Sequence, residues 1–223
     1  MSIKGYPMGE WRLLPDPRVA PLPPSQRNWI HNAILRMSRS AAGARNDLYV
    51  IETFLRLGVI APLYLLWLSR LLFKGKINRA EKEKIVLRTA WRVGCVYEWT
   101  HHVHLALKAG VRPEEIATLA EENSGNWTPR LRVFIRAVDE LLANRILGDR
   151  AWRSLREHLS EDQCIEFCML CGHYAMVSMI LNATGIRVEP EFSLGSPSAA
   201  AQTWRGDAEQ AGGPSLNSAR AVS

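Results

Sequence analysis

The sequence predicts an all-α fold, and three observations carry that expectation. Apolar residues recur three and four apart, as in Leu131, Phe134, Ile135, Val138, Leu141 and Leu142, the period of a helix with one buried face. Asn78, Thr128-Pro129 and Ser160 open such runs, and Gly94, Gly110 and Gly185 close them. No run reads as a strand of consequence. The 223 residues suffice for one domain with a sizeable core.

Residues 1–28 hold six of the twelve prolines and read as an extended arm lying on the domain surface. A short helix is expected over 29–40, broken by Ala41-Ala42-Gly43-Ala44. Asn46 or Asp47 can cap the next helix. It runs to about Leu57, with Leu48, Ile51 and Leu55 as its apolar stripe. Residues 58–73 are the most apolar stretch. They contain Pro62 and Arg70 and fall short of the roughly 20 apolar residues a membrane span needs, so a buried core helix starting near Pro62 is expected. Lys74-Gly75-Lys76 turns the chain. Asn78 then caps a helix, with Glu81 completing a capping-box pattern.

That helix ends near Gly94. A second follows to about Ala109, where Gly110 stops it. Pro113 opens a short helix reaching about Glu121, and a loop over 122–130 leads into the helix Pro129–Asn144. Asp149 caps a short helix to about His158. Ser160 starts a long one to about Thr184, apolar nearly all round and therefore central. The domain is expected to span 29–190. Residues 191–223 are rich in Gly, Ser, Ala and Pro and read as a flexible tail.

An apolar fraction of 47% and a charged fraction of 22% fit a soluble globular protein. The net charge of +6 is spread along the chain and interleaved with acidic residues. It therefore predicts a solvated basic surface, not a nucleic-acid site, and at most the steering of an anionic substrate. Neither a nucleic acid nor a membrane is an expected partner. The four cysteines do not form a secreted disulfide framework, and the N-terminus has no signal architecture. The expected compartment is the cytoplasm. Eight tryptophans suggest aromatic packing, an apolar pocket or an oligomer interface.

The chemistry is expected between Glu83 and Gly110. Cys95, Glu98 and His102 stand at i, i+3, i+7. At about 100° per residue they fall within roughly 60° of one another on a helix. A thiol, a carboxylate and an imidazole on one stripe can share protons. Glu83 can reach the same place if Gly94 bends the chain. Trp91, Tyr97 and Trp99 surround the stripe, and polar groups in apolar surroundings have shifted pKa values. The plainer alternatives are a Cys that is a small buried hydrophobe and a Glu–His pair that is only an i,i+4 contact. Of His101, His102 and His104, one helical face presents only His102 with Cys95. The other two are expected to be exposed or hydrogen-bonded at helix surfaces. Cys168-x-x-Cys171-Gly-His173 reads as core cysteines. No complete metal-ligand set, phosphate loop or nucleophile elbow is legible, so neither metal nor cofactor is expected.

The pattern Glu83-x11-Cys95-x2-Glu98-x3-His102 resembles the signature of the carboxymuconolactone decarboxylase and alkylhydroperoxidase D-like superfamily. Peroxidase members carry a Glu followed by Cys-x-x-Cys-x-x-x-His. Here Glu98 occupies the second cysteine position, so a disulfide cycle on that motif cannot run. Tyr97 to Val111, followed by Pro113-Glu114-Glu115-Ile116, is similar to a decarboxylase-like branch. The likeness runs from about residue 18 to about 190.

It implies a compact helical domain of the alkylhydroperoxidase D-like type. It also implies a homo-oligomer (dimer, trimer or hexamer) with active sites near subunit contacts. The activity implied is a cofactor-free lyase, decarboxylase or isomerase acting on a small organic acid or lactone. His102 would be the acid/base, Glu98 its orienting partner, Glu83 a proton relay and Cys95 a weak donor or pocket wall. Trp91, Tyr97 and Trp99 would bind substrate. Two alternatives stand beside this: a thiol peroxidase using Cys95, which Glu98 disfavours by raising a thiol pKa, and a non-catalytic oligomeric ligand-binding protein.

Overall fold

The computed structural model describes residues 14–123 and 126–192. The described residues form helices joined by short turns and contain no strand, as the all-α expectation requires. The expected tail from 193 onward, and residues 1–13 of the expected arm, lie outside the described residues.

Helix α1 spans Trp29–Ala42, α2 Tyr49–Phe54 and α3 Ile60–Lys74. Helices α4 (Arg79–Val93) and α5 (Val96–Lys108) form the hairpin that carries the motif. Helices α6 (Pro113–Thr118), α7 (Pro129–Asn144) and α8 (Asp149–Arg156) lead into α9 (Glu161–Thr184). Helix α4 is the hub, packing against α5, α7 and α9. One apolar cluster joins Ile85 and Val86 of α4 to Phe134 and Val138 of α7 and Phe167 and Leu170 of α9. A second joins Leu87, Trp91, Trp99, Ile116 and Leu131.

The described part of the arm lies against the domain: the Arg18 amide donates to Thr184 O at 2.8 Å and the Leu22 amide to Glu52 O at 3.1 Å. Several boundaries differ from the sequence reading, each for a local reason. Leu48, not Asn46 or Asp47, stands at the start of α2, because the Asp47 carboxylate is taken by Arg27 and Arg39, each at 3.2 Å. Asn78 caps α4 by accepting from the Glu81 amide at 2.9 Å. The Glu81 carboxylate does not close the capping box, because it pairs with Arg130 at 2.5 Å. Helix α8 is capped at Gly148 with Asp149 as its first residue.

The larger correction concerns α3. It is not a fully buried core helix: Ala61, Leu71 and Leu72 are buried, while Ile60, Leu63, Leu66 and Phe73 are exposed. The helix is apolar on both sides, and only one side has the domain to pack on. Helix α9 likewise has one side in the core and exposes Ile165, Met169, Met176, Met179 and Ile180 on the other. It is long and apolar enough to cross a membrane, yet 61% of its most apolar window is buried inside this fold.

One buried ion pair ties the turn before α4 to α9. Lys82 Nζ lies 2.6 Å from Glu166 Oε1 and also donates to Leu71 O at 2.6 Å. The other Glu166 oxygen accepts the Lys76 amide at 2.5 Å and the Ile77 amide at 3.2 Å. Removing the acid strands a buried ammonium and two amides, which costs about 3–5 kcal/mol. Glu166→Ala is therefore expected to lower the unfolding free energy by that much, read as a lower urea midpoint at unchanged slope. A loss below about 1 kcal/mol would remove this pair from the account of the fold.

Candidate active site

The site begins with a helix terminator. Gly94 adopts φ 73°, a left-handed conformation that costs glycine nothing. Its amide and that of Cys95 fold back onto the end of α4, with Cys95 N donating to Ala90 O at 3.0 Å. This is a Schellman-type closure. Asn182 of α9 clamps the turn by donating to Gly94 O at 3.2 Å. The chain reverses, α5 lies back along α4, and residues far apart in sequence come face to face.

His102 is held from both sides. Its Nδ1 donates to Glu83 Oε2 at 2.6 Å, and its Nε2 lies 3.2 Å from Glu98 Oε2, one turn earlier on α5. The remaining Glu83 oxygen pairs with Arg79. All three acid–base groups are buried. Burial alone pulls His102 down, but the charges and hydrogen bonds of Glu83 and Glu98 outweigh it and lift it to about 9. At neutral pH His102 is an imidazolium between two carboxylates. Arg79, Glu83, His102 and Glu98 together sum to zero charge.

Glu98 and His102 face a cavity of about 130 Å³ between α2, α3, α5 and α9. Of the three aromatic residues expected to bind substrate, Tyr97 reaches it. Trp91 and Trp99 do not. They pack on each other, ring centroids 5.3 Å apart, in the apolar cluster between α4, α5 and α6. Spacing places them near the motif in sequence, and the hairpin turns their face away from it.

Cys95 is also displaced from its expected place. It is not on the α5 stripe but at the cap before it, with extended backbone (φ −105°, ψ 101°). It is fully buried among Phe54, Tyr97, Val177 and Leu181 and lies outside the cavity lining. Burial, reinforced by the nearby Glu98 charge, pushes its thiol up to about 12.

The structure adds residues that the sequence reading missed. His173 of α9 lines the cavity beside Tyr64 of α3, with its Nε2 3.3 Å from the Tyr64 hydroxyl. Trp67 stands edge-on to it at 4.9 Å. Burial pulls His173 down to about 4, so the ring is neutral. His101, also in the lining, is hydrogen-bonded as one of its two expectations had it, but buried and not at a helix surface. It stacks on Tyr97 at 4.3 Å and donates to Glu189 Oε2 at 2.6 Å. Glu189 also accepts from the Tyr97 hydroxyl at 2.7 Å and the Tyr49 amide at 2.5 Å. Burial pushes Glu189 up, but these donors outweigh it and hold it below the usual carboxylate range. They pin the segment after α9 across the cavity, where Phe192 packs on His101 at 4.4 Å and on His104 at 5.3 Å.

Cys164 and Cys171 are buried, and Cys168 is partly so. Burial raises all three thiols, Cys171 to about 12. Among the described residues no group of three His, Cys, Asp or Glu side chains is arranged to hold a metal ion.

Residues 63–140, which run from α3 through α7 and include Glu83, Cys95, Glu98 and His102, match the Carboxymuconolactone decarboxylase family. No curated protein matches the chain. Solved structures do. A crystal structure of the debrominase Bmp8, in a cysteine-to-alanine variant complexed with 2,3,4-tribromopyrrole, superposes with TM-score 0.70. The two chains are 16% identical, with 85% of this chain and 98% of that one covered. An alkylhydroperoxidase AhpD core, an uncharacterized peroxidase-related protein from Ralstonia eutropha, gives TM-score 0.70 at 18% identity, covering 81% and 96%. A peroxidase-related protein from a Silicibacter species gives 0.66 at 15%, covering 82% and 94%. Over residues 63–140 the chain is similar to the Carboxymuconolactone decarboxylase family. The structural likenesses establish the shared fold.

Two histidines in one cavity with opposite shifts make stability pH-dependent on both sides. His102 keeps in the fold a proton that an unfolded chain loses above about 6.5. The stability it supplies is full below about pH 6.5 and is lost as pH rises through about 9. His173 refuses a proton that the unfolded chain takes, so stability falls as pH drops from about 6.5 to about 4. Thermal unfolding across this range is expected to peak near neutrality. His102→Gln should flatten the alkaline limb and His173→Asn the acid limb. Identical limbs in wild type and both variants would contradict the assignment.

Proposed function

We propose that this protein is a cofactor-free acid–base enzyme, a lyase or isomerase, acting on a small organic molecule held in the cavity. The observation that carries the reading is the Arg79–Glu83–His102–Glu98 chain, buried from Glu83 onward and ending at the cavity wall. Both His102 ring nitrogens are engaged, so the group free to meet substrate is Glu98. The Glu98 carboxylate takes a proton from a carbon next to a carbonyl. The electron pair moves onto the carbonyl oxygen, and the proton is later returned to another carbon. His102, held by Glu83, keeps the base oriented and balances its charge through the cycle. Tyr64, beside the neutral His173, supplies a hydroxyl donor for the developing oxygen charge.

Two substrate classes fit acid–base work of this kind, a lactone and a small organic acid. A fold neighbour that holds 2,3,4-tribromopyrrole supports a single-ring occupant of such a site. The thiol-peroxidase reading has less support. Cys95 is buried outside the cavity, its thiol is held near 12, and a glutamate stands where a resolving cysteine would be. An assembly of identical subunits is part of the same proposal. The exposed apolar sides of α3 and α9 are the faces a second copy would cover, beside the cavity wall made by Tyr64, Leu65 and Leu68.

The test is solvent deuterium uptake into small enolisable lactones, followed by NMR, with carbon dioxide release from small β-keto acids in parallel. Wild type should catalyse one of them. His102→Ala and Glu98→Gln should each lose at least about 10²-fold in turnover while staying folded. Unchanged turnover in both would leave a ligand-binding protein without acid–base chemistry. Hydroperoxide consumption with a thiol donor should be absent, and consumption lost in Cys95→Ala would make the protein a peroxidase. Light scattering of the purified chain should give a mass above one subunit, and Leu66→Glu should reduce it to one.

A further inference from the structure

The charge inventory of the cavity distinguishes the two substrate classes. Among the described residues no lysine or arginine lines it. Four histidines line it, and none offers a free positive charge. His102 is offset by Glu83 and Glu98. His101 donates to Glu189. His173 and His104 are pushed down by burial and are neutral. Among the described residues, the charged group at the wall whose second oxygen is left for a ligand is the Glu98 carboxylate, and it accepts hydrogen bonds only.

Burying a carboxylate without a partner is expensive, and a second one beside Glu98 adds like-charge repulsion. Apart from the Tyr64, Tyr97 and Tyr174 side chains, the rest of the wall is apolar, with Leu48, Ile51, Phe54, Leu68, Leu72 and Val177 among its residues. A volume of about 130 Å³ is close to that of the apolar cavities of about 150 Å³ that take a benzene ring.

We propose that the cavity binds a neutral single-ring compound that presents an O–H or N–H donor to Glu98, and rejects the carboxylate of the same ring. The proposal rests on the acid–base reading only for the place of the site. Its consequence is that the substrate is the lactone or enol class and not a free acid, so the reaction is a proton shift and not the loss of carbon dioxide from a carboxylate.

Isothermal titration calorimetry of the full chain at neutral pH with phenol, anisole and benzoate tests this. These share one ring and differ as donor, non-donor and anion. Phenol should bind at least about 10-fold tighter than either of the others, since a lost hydrogen bond to a charged group is worth about that factor or more. Glu98→Gln should narrow the ratio of phenol to benzoate. Leu105→Trp and Val50→Phe, two independent fillings of the cavity, should each abolish phenol binding.

Benzoate binding as tightly as phenol would overturn the proposal. So would phenol binding that survives both fillings, or no phenol binding at all. The outcome is separable from the acid–base reading. Phenol selectivity with His102-independent turnover refutes the chemistry alone. Benzoate preference with His102-dependent turnover refutes the ligand class alone.

Discussion

The hydrogen bond from His102 to Glu83 is the constraint on which the rest of the site depends. It joins two buried groups that neither helix could tolerate alone. An unpaired Glu83 carboxylate in the α4 interior, or an uncompensated imidazolium in α5, would cost several kcal/mol. Together, and with Arg79 and Glu98 completing the chain, they form a charge-balanced network in which Glu83, His102 and Glu98 are buried. Such networks are costly when half satisfied and specific when complete. The Gly94 turn exists in a form that serves this contact. A residue with a Cβ at φ 73° would be strained, and a differently angled hairpin would separate the pair.

The cavity is bounded by a second polar construction with a different purpose. Glu189 gathers the His101 ring, the Tyr97 hydroxyl and the Tyr49 amide, and Glu191 accepts the amides of Arg45 and Asn46 at 3.0 and 2.9 Å. These contacts draw the chain after α9 back to the start of α2 and set Phe192 on the cavity. All of the Glu189 donors are spent on positioning. The reactive network and the positioning network therefore share one wall, α5, through the adjacent residues His101 and His102, which point about 100° apart.

Much of this was legible in the sequence, and the parts that were not have physical reasons. The hairpin was legible because Asn78, Gly94 and Gly110 mark its ends by backbone chemistry alone. Glu98 and His102 were legible because i,i+4 residues on a helix must meet. Glu83 was legible through its place in a family pattern. Cys95 was misplaced because the spacing assumes a helix through position 95, whereas the closure after Gly94 leaves it extended. Trp91 and Trp99 were misassigned because the rotation of a hairpin against its neighbours is set by tertiary packing, which spacing does not encode. Tyr64, His173 and Glu189 were missed because each acts across more than 85 residues of sequence. The Cys-x-x-Cys-x-His run drew attention to the cysteines, and the useful residue in it is His173. The exposure of α3 is not legible in its sequence, because apolar length does not distinguish a core helix from one that is apolar towards both the domain and its surroundings.

The most direct measurement of the central claim is the protonation state of His102 in the folded protein. Nitrogen-15 NMR of the labelled imidazoles, with His102→Gln to assign the signal, reads both ring nitrogens separately. The account predicts an imidazolium at neutral pH, with both nitrogens protonated, that titrates near 9 and moves down sharply in Glu83→Gln. A neutral ring at pH 7, titrating at or below the ordinary histidine value of about 6.5 and indifferent to Glu83, would contradict it.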